Sequence, residues 1–259
     1  MTEMVQFSFA LSPRMRAFIE IRDALACIEK ARLEELGTNW LHAACDLHDS
    51  LLGDQGRKNV IPEIIALFAD VQAYLGGLAA EAPDYQESIL AACDKIKMHV
   101  KNLQPGLPDA CSFLADDALI NAYLNAQKKH DWLGHKLCIQ QSINTLWTAS
   151  ADRTSPLHTA LTPLNEAVEY LDHMLGDFVA WKKCVATHGT GHITPERGKH
   201  FELLIISMPA ETVAKGIMPD ISGNRLAIRI RFQLWTPGLP PSDYDGEQPY
   251  SMMLVPVGI

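Results

Sequence analysis

A chain of 259 residues with 47% hydrophobic and 20% charged side chains is long enough for one large or two small cores, and its composition excludes an extended disordered protein. A formal net charge of -9 excludes general nucleic-acid binding through a basic field, although a local basic patch on an acidic protein can still hold an acidic partner. No apolar run approaches the roughly 18 to 20 residues of a membrane span and no secretory signal opens the sequence, so a cytoplasmic protein without membrane contact is expected.

The aromatic stretch Val5 to Ala10 predicts a short strand. Leu11-Ser-Pro13 ends it, with Ser12 as N-cap and Pro13 at the first position of a helix whose buried face is Met15, Phe18, Ile21, Leu25 and Ile28. Ile61, Ile64, Phe68, Val71 and Leu75 step by three and four, as do Ile89, Cys93, Ile96, Val100 and Leu103. Gly76-Gly77 and Gln104 to Pro108 are read as interruptions between helices, and a further helix is expected from Asp116 to about Lys129. From His135 to Ala149 the period changes toward a strand pair or irregular β segment. The longest apolar stripe follows, Leu157 through Leu175 to Phe178, with Pro163 either kinking it or starting a fresh helix capped by Thr162. After Trp181 the pattern is β, with strands at Phe201 to Ser207, Leu226 to Trp235 and Met252 to Val257. The expected fold is α+β: a helical bundle domain of residues 12–131 and 151–182, and an antiparallel β-domain of residues 1–11, 132–150 and 183–259 that includes the N-terminal strand.

Six cysteines, at 27, 45, 93, 111, 138 and 184, lack the pairing of a zinc ribbon and the density of a disulfide scaffold, so they read as reduced and mostly buried. Two trios have metal-like spacing, His42-x-x-Cys45-x-x-His48 and Cys184-x3-His188-x3-His192, but neither has a fourth ligand placed to close a tetrahedron. A partly buried helix face and a hairpin turn explain them without a metal. No nucleophile elbow, P-loop or dinucleotide fingerprint is present, and Asp116-Asp117 fits a helix's first turn, so neither catalysis nor a cofactor is expected.

The most specific pattern runs from Met218 to Trp235. Ile221-Ser-Gly-Asn224 reads as a turn, after which Leu226, Ile228, Ile230, Phe232 and Leu234 fall on one face and Arg225, Ala227, Arg229, Arg231 and Gln233 on the other. No Asp or Glu occurs between Ile221 and Ser242. One face is core; the other is a basic strip suited to an acidic peptide or an anion. The same arginines could serve only to keep a wet face soluble, with Glu202 as an available partner.

Pro219-Asp-Ile-Ser-Gly-Asn-Arg225 followed by Ile228-Arg-Ile-Arg-Phe232 resembles the C-terminal signature of the ZapD family, bacterial proteins that associate with the division ring and crosslink FtsZ filaments. Phe7-Ser-Phe-Ala-Leu-Ser-Pro-Arg-Met-Arg16 is similar to that family's opening, and Thr162-Pro-Leu-Asn-Glu-Ala167 with the helix ending at Trp181-Lys-Lys183 is a third, weaker match in family order. The resemblance implies a homodimer at midcell whose β-domains each bind the acidic C-terminal tail of FtsZ, promoting Z-ring assembly and septation. It carries tail-binding roles onto Arg16, Arg57, Arg225 and Arg231. Two family arginines fall on Ala118 and Ala227; Arg229 could replace the second, and nothing replaces the first. The alternative is a module for single-stranded nucleic acid or another anionic ligand, using the Arg strip with Trp235 as a stacking platform.

Overall fold

The structure is a computed structural model that describes residues 3–33, 37–51, 61–104, 113–128, 155–177, 179–195, 201–224 and 226–256. It is an α+β fold, as the pattern predicts, and the N-terminal strand does pair within a β-sheet. That strand, β1 (Met4–Ala10), stops where the sequence placed the helix cap. The Met15 N–H donates to the Ser12 hydroxyl oxygen at 3.2 Å, so Ser12 caps helix α1 (Pro13–Leu33). Ser12 is itself buried and donates its hydroxyl to the Glu202 carboxylate, while the Leu11 N–H donates to the Glu202 carbonyl at 2.8 Å. These bonds satisfy a buried acid and clamp the start of α1 to β4 (Phe201–Pro209).

The chain divides into two compact units, Met1–Arg16 with Ala69–Glu81 and Asp172–Ile259, and Ala17–Phe68 with Ala82–Leu171. Three of these boundaries fall inside helices and the one after Glu81 at a helix end, because a long helix need not end where a core ends.

In the second unit α1 continues, followed by α2 (Gly37–Leu51), the first eight residues of α3 (Ile61–Glu81), α4 (Gln86–Leu103), a short α5 (Phe113–Asp116), α6 (Ala118–Lys128) and most of α7 (Ser155–Asp177). Phe18, Ile21, Ile64, Phe68, Ile96 and Leu164 are among its fully buried side chains, in line with the predicted stripes. Several expectations need correction. Helix α3 (Ile61–Glu81) runs through Gly76-Gly77 instead of breaking there; two glycines weaken a helix by about 1 kcal/mol each but do not end one whose buried stripe, Ile61 to Leu75, is apolar. Its mean hydropathy of 1.3 over an 18-residue window would suit a membrane span by length and composition, and 28% of that window is buried, with Ile64, Leu67, Phe68 and Val71 in the protein interior. On α4 the buried stripe passes through His99, and Val100 is only half buried. Asp117 interrupts the predicted helix over 116–129: it separates α5 from α6 and accepts the Ile120 N–H at 3.0 Å as an N-cap. Helix α7 is continuous across Pro163, so no fresh helix starts there, and the Thr162 hydroxyl donates back to the His158 carbonyl at 3.0 Å instead of capping. The β segment expected near 135–149 lies outside the described residues.

The first unit holds two antiparallel sheets. One has strand order β1-β4-β8-β2, with β2 (Lys182–Ala186) and β8 (Gln248–Pro256); the other has order β3-β6-β5, with β3 (Thr190–Ile193), β5 (Ile217–Gly223) and β6 (Ile228–Leu234), and β7 (Ser242–Asp243) pairs with β6 beyond β3. A short helix, α8 (Ala210–Ala214), joins β4 to β5. Leu204, Ile206 and Met208 of the first sheet face Ile228, Ile230 and Phe232 of the second, and the rings of Phe232 and Tyr250 lie 5.4 Å apart. Burial and the nearby Cys184 thiol push the Tyr250 phenol up to about 12.

The hairpin between β2 and β3 carries the chain from one sheet to the other. Its two central residues have positive φ, 50° at His188 and 60° at Gly189, a geometry that matches the twist of the strands on either side. Gly189 donates to the Gly246 carbonyl at 2.8 Å and accepts the Phe232 N–H at 2.7 Å. A Cβ at Gly189 would sit 1.7 Å from the Tyr244 carbonyl oxygen, and one at Gly191 would press on the Tyr250 hydroxyl.

Two expectations follow. Gly189→Ala combines a left-handed backbone with a clash that no side chain can relieve, and should lower stability by at least about 2 kcal/mol in urea denaturation. His99 is buried, stacked between Phe68 (6.3 Å) and Tyr170 (4.9 Å), and burial pushes its imidazole below its ordinary value of 6.5, with Lys95 adding to the effect and Glu166 opposing it. The unfolded chain therefore takes up the proton first as pH falls. The neutral-imidazole stability should be complete above about pH 6.5 and should decline progressively below it, and His99→Gln should flatten that part of the pH profile in urea titrations between pH 7.5 and 5.5.

Candidate functional site

Strand β6 is the middle of its sheet, so its alternation of side chains decides what that sheet shows to solvent. Ile228, Ile230 and Phe232 are buried as predicted, and Leu234 is half buried. Leu226 is not a core residue: it is 80% exposed, because the turn comes later than the sequence suggested. Strand β5 runs on through Ile221-Ser-Gly223, and the reversal is made at Asn224, whose N–H donates to the Ala227 carbonyl at 3.0 Å. The Asn224 side-chain oxygen accepts the Leu226 N–H at 2.8 Å, the local bond that favours asparagine in turns.

The outer face of the sheet is fixed by register. Arg229 lies between Ser222 on β5 and His192 on β3; Arg231 lies between Asp220 and Thr190; Gln233 lies between Met218 and Asp243. The two arginines are not equivalent. Arg231 is held by Asp220 at 3.1 Å and by Asp243 at 3.6 Å, and Gln233 leans on the same Asp220 carboxylate at 3.5 Å. The acid-free window of the sequence thus ends one residue short of the two acids that the fold brings to Arg231. Glu202, offered by the sequence as a partner for the strip, is instead buried on β4 against Ser12. Arg229 is exposed, and among the described residues no carboxylate pairs with it. Among the described residues it is the unpaired cation of this face.

Arg16 is exposed in the first turn of α1, in the same unit but on an element that follows the first sheet's edge strand, so it does not share the face of Arg229 and Arg231. Arg57 and Arg225 lie outside the described residues. Ala118 is the first residue of α6, in the other unit.

The edges of the sheet limit how a ligand could bind. On one side β6 is taken by β3 and β7. On the other, β5 is an edge strand among the described residues, and in it Pro219 stands opposite Phe232. Phe232 directs both its N–H and its carbonyl to the far side, to Gly189 at 2.7 Å and Tyr244 at 3.0 Å, so Pro219, with no N–H, faces the open edge.

The metal-like trios do not converge into a site. His42 lies edge-on to Tyr123 with ring centroids 4.9 Å apart, and Cys45 is buried. Cys184 is on β2, His192 is on the outer face of β3, and His188 in the turn approaches Asp245 at 3.0 Å. Among the described residues no group of three or more His, Cys, Asp or Glu is placed to hold a metal ion. Of the described cysteines, Cys45 and Cys93 are buried and Cys184 is half buried, but Cys27 is exposed; no disulfide joins any two of these four. A groove of about 400 Å³ on the first sheet, between Met4, Lys183, Val185, Pro209 and Pro249, escaped the sequence reading. Its walls come from four strands far apart in the chain, and only register brings them together.

Arg229 and Arg231 open no cavity when truncated, and exposed ion pairs contribute about 0 to 1 kcal/mol. Arg229→Ala should therefore leave stability within about 0.5 kcal/mol of the parent and Arg231→Ala within about 1 kcal/mol. Phe232→Ala should cost about 3 to 5 kcal/mol in the same denaturation experiment.

Comparison of the chain with protein-family models and with proteins of established function finds no match.

Proposed function

We propose that this protein is a non-enzymatic adaptor of the division ring, a homodimer in which each subunit holds the acidic C-terminal tail of an FtsZ subunit and so ties filaments together. The observation that carries the proposal is Arg229: an exposed guanidinium on the central strand of a rigid sheet, with no acid paired to it among the described residues, inside the segment that resembles the ZapD signature. The N-terminal segment that also resembles that family is built into the same unit, where Ser12 and Glu202 lock it to β4. A rigid strand is a better base for a binding side chain than a loop. Two identical sites on a symmetric dimer meet the minimum requirement of a crosslinker. A nucleic acid on the same strip would have to approach a chain of net charge -9 with two acids beside Arg231, which favours a ligand that needs only one strong cation.

Sedimentation of FtsZ filaments at low force, with and without the protein, tests the proposal: the pelleted fraction should rise. Arg229→Glu should weaken binding of a tail peptide about ten- to a hundredfold, in line with the loss of a charge-assisted contact of about 1.5 to 3 kcal/mol. Asp220→Asn, which removes one of the two acids held against Arg231, should strengthen it. Unchanged peptide affinity in both variants would end the assignment of the site, and bundling by a species that sediments as a monomer at micromolar concentration would end the two-site model.

A further inference from the structure

We infer that the outer face of β6 is graded along its length, cationic at Arg229 and apolar at Trp235, and takes an extended peptide that carries a carboxylate at one end and a large apolar side chain about six residues away. The inference rests on the acidic-tail reading above and adds to it the pattern the ligand must have.

The grading follows from the register. The row of Ser222, Arg229 and His192 contains a guanidinium and no carboxylate. In the next row Arg231 is met by Asp220 beside it and, diagonally, by Asp243 opposite Gln233, two negative charges against one positive, so this part of the face offers no net attraction to a further carboxylate. Beyond it Met218 stands opposite Gln233, and the same alternation then reaches Trp235, which is 52% exposed although its N–H is fixed to the Gly216 carbonyl at 2.8 Å. From Arg229 to Trp235 is six residues, roughly 20 Å along a strand. An isolated exposed tryptophan needs no explanation. Here it stands on a rigid backbone, on the alternation that carries the unpaired arginine and beside a half-exposed Met218.

The sheet edges select the mode of binding. Pro219 blocks strand addition at β5, and β3 with β7 already fills the other side of β6. A peptide that engages both Arg229 and Trp235 of β6 then lies over the face and is read by side chains. Its carboxylate meets Arg229 in a charge-assisted bond, and its apolar side chain covers the Trp235 ring. The acids of the middle row reject a segment that is acidic throughout.

The test uses the full chain and three fluorescein-labelled peptides, measured by anisotropy. The first has two Asp at one end, two Leu at the other and an uncharged Ser/Asn spacer placing them six residues apart; the second replaces Leu by Ser; the third replaces Asp by Asn. Trp235→Ala should weaken the first peptide about five- to twentyfold and leave the second unchanged, and Arg229→Ala should weaken the first about tenfold and leave the third unchanged. Trp235→Leu should keep most of the parental affinity. The grading is overturned if Trp235→Ala weakens both Leu and Ser peptides alike or neither, if Trp235→Leu is as weak as Trp235→Ala, or if the first peptide does not bind the parent at millimolar concentration. If Arg229→Ala still weakens the first peptide while Trp235→Ala does not, the acidic-ligand reading survives without the grading. If Arg229→Ala has no effect, both fail.

Discussion

The passage of the chain between its two sheets at Thr187–Thr190 is the constraint on which the β unit rests. Strand β2 belongs to one sheet and β3 to the other, so a single two-residue turn must reverse the chain and change its sheet at once. A turn left-handed at both central residues keeps the strand twist while doing so, and Gly189 has no room for a side chain. The bonds of Gly189 to Phe232 and Gly246 then fix the height of β6 against β3, and that height decides which residues of β3, β5 and β7 stand beside each arginine. The face that presents Arg229 is, in this sense, set by a glycine on a different strand.

Much of the fold could be read from the sequence because strong periodicity records burial directly. The stripes from Met15 to Ile28, Ile61 to Leu75 and Leu157 to Leu175 mark buried helix faces, and the alternation from Ile228 to Phe232 marks a strand with one face inside. The short strands β2, β3 and β5 were not legible. Lys182–Ala186 and Thr190–Ile193 are too brief for a period, and Ile217–Gly223 contains Pro219, Ser222 and Gly223, residues that locally favour a turn and form a strand here because β6 pairs with them along their whole length. Gly76-Gly77 misled for the same reason in the opposite direction: local propensity is a weak force beside packing. His99 gave no signal at all, since an imidazole with aromatic rings on two sides is buried by its neighbours and not by its own polarity.

The candidate site was half legible. Alternation placed Arg229 and Arg231 on one wet face, but it could not say that the acids balancing Arg231 come from β5 and β7, because cross-strand neighbours are a property of register. Two residues that look alike in sequence therefore differ in what they can do. Screening by solvent makes each exposed pair weak, yet an acid beside a guanidinium still competes with any carboxylate that arrives later. An acid-rich chain gains selectivity in this way, since its own aspartates restrict attraction to the place where none is nearby.

Pro219 has a consequence for crowding. An open edge of regular β-sheet is a template onto which a second molecule can zip a strand, and the hazard grows wherever copies accumulate. With proline turned outward at the middle of β5, the row of donors that such zipping needs is interrupted along this edge. Addition of a further strand at β5 is disfavoured however many copies surround it.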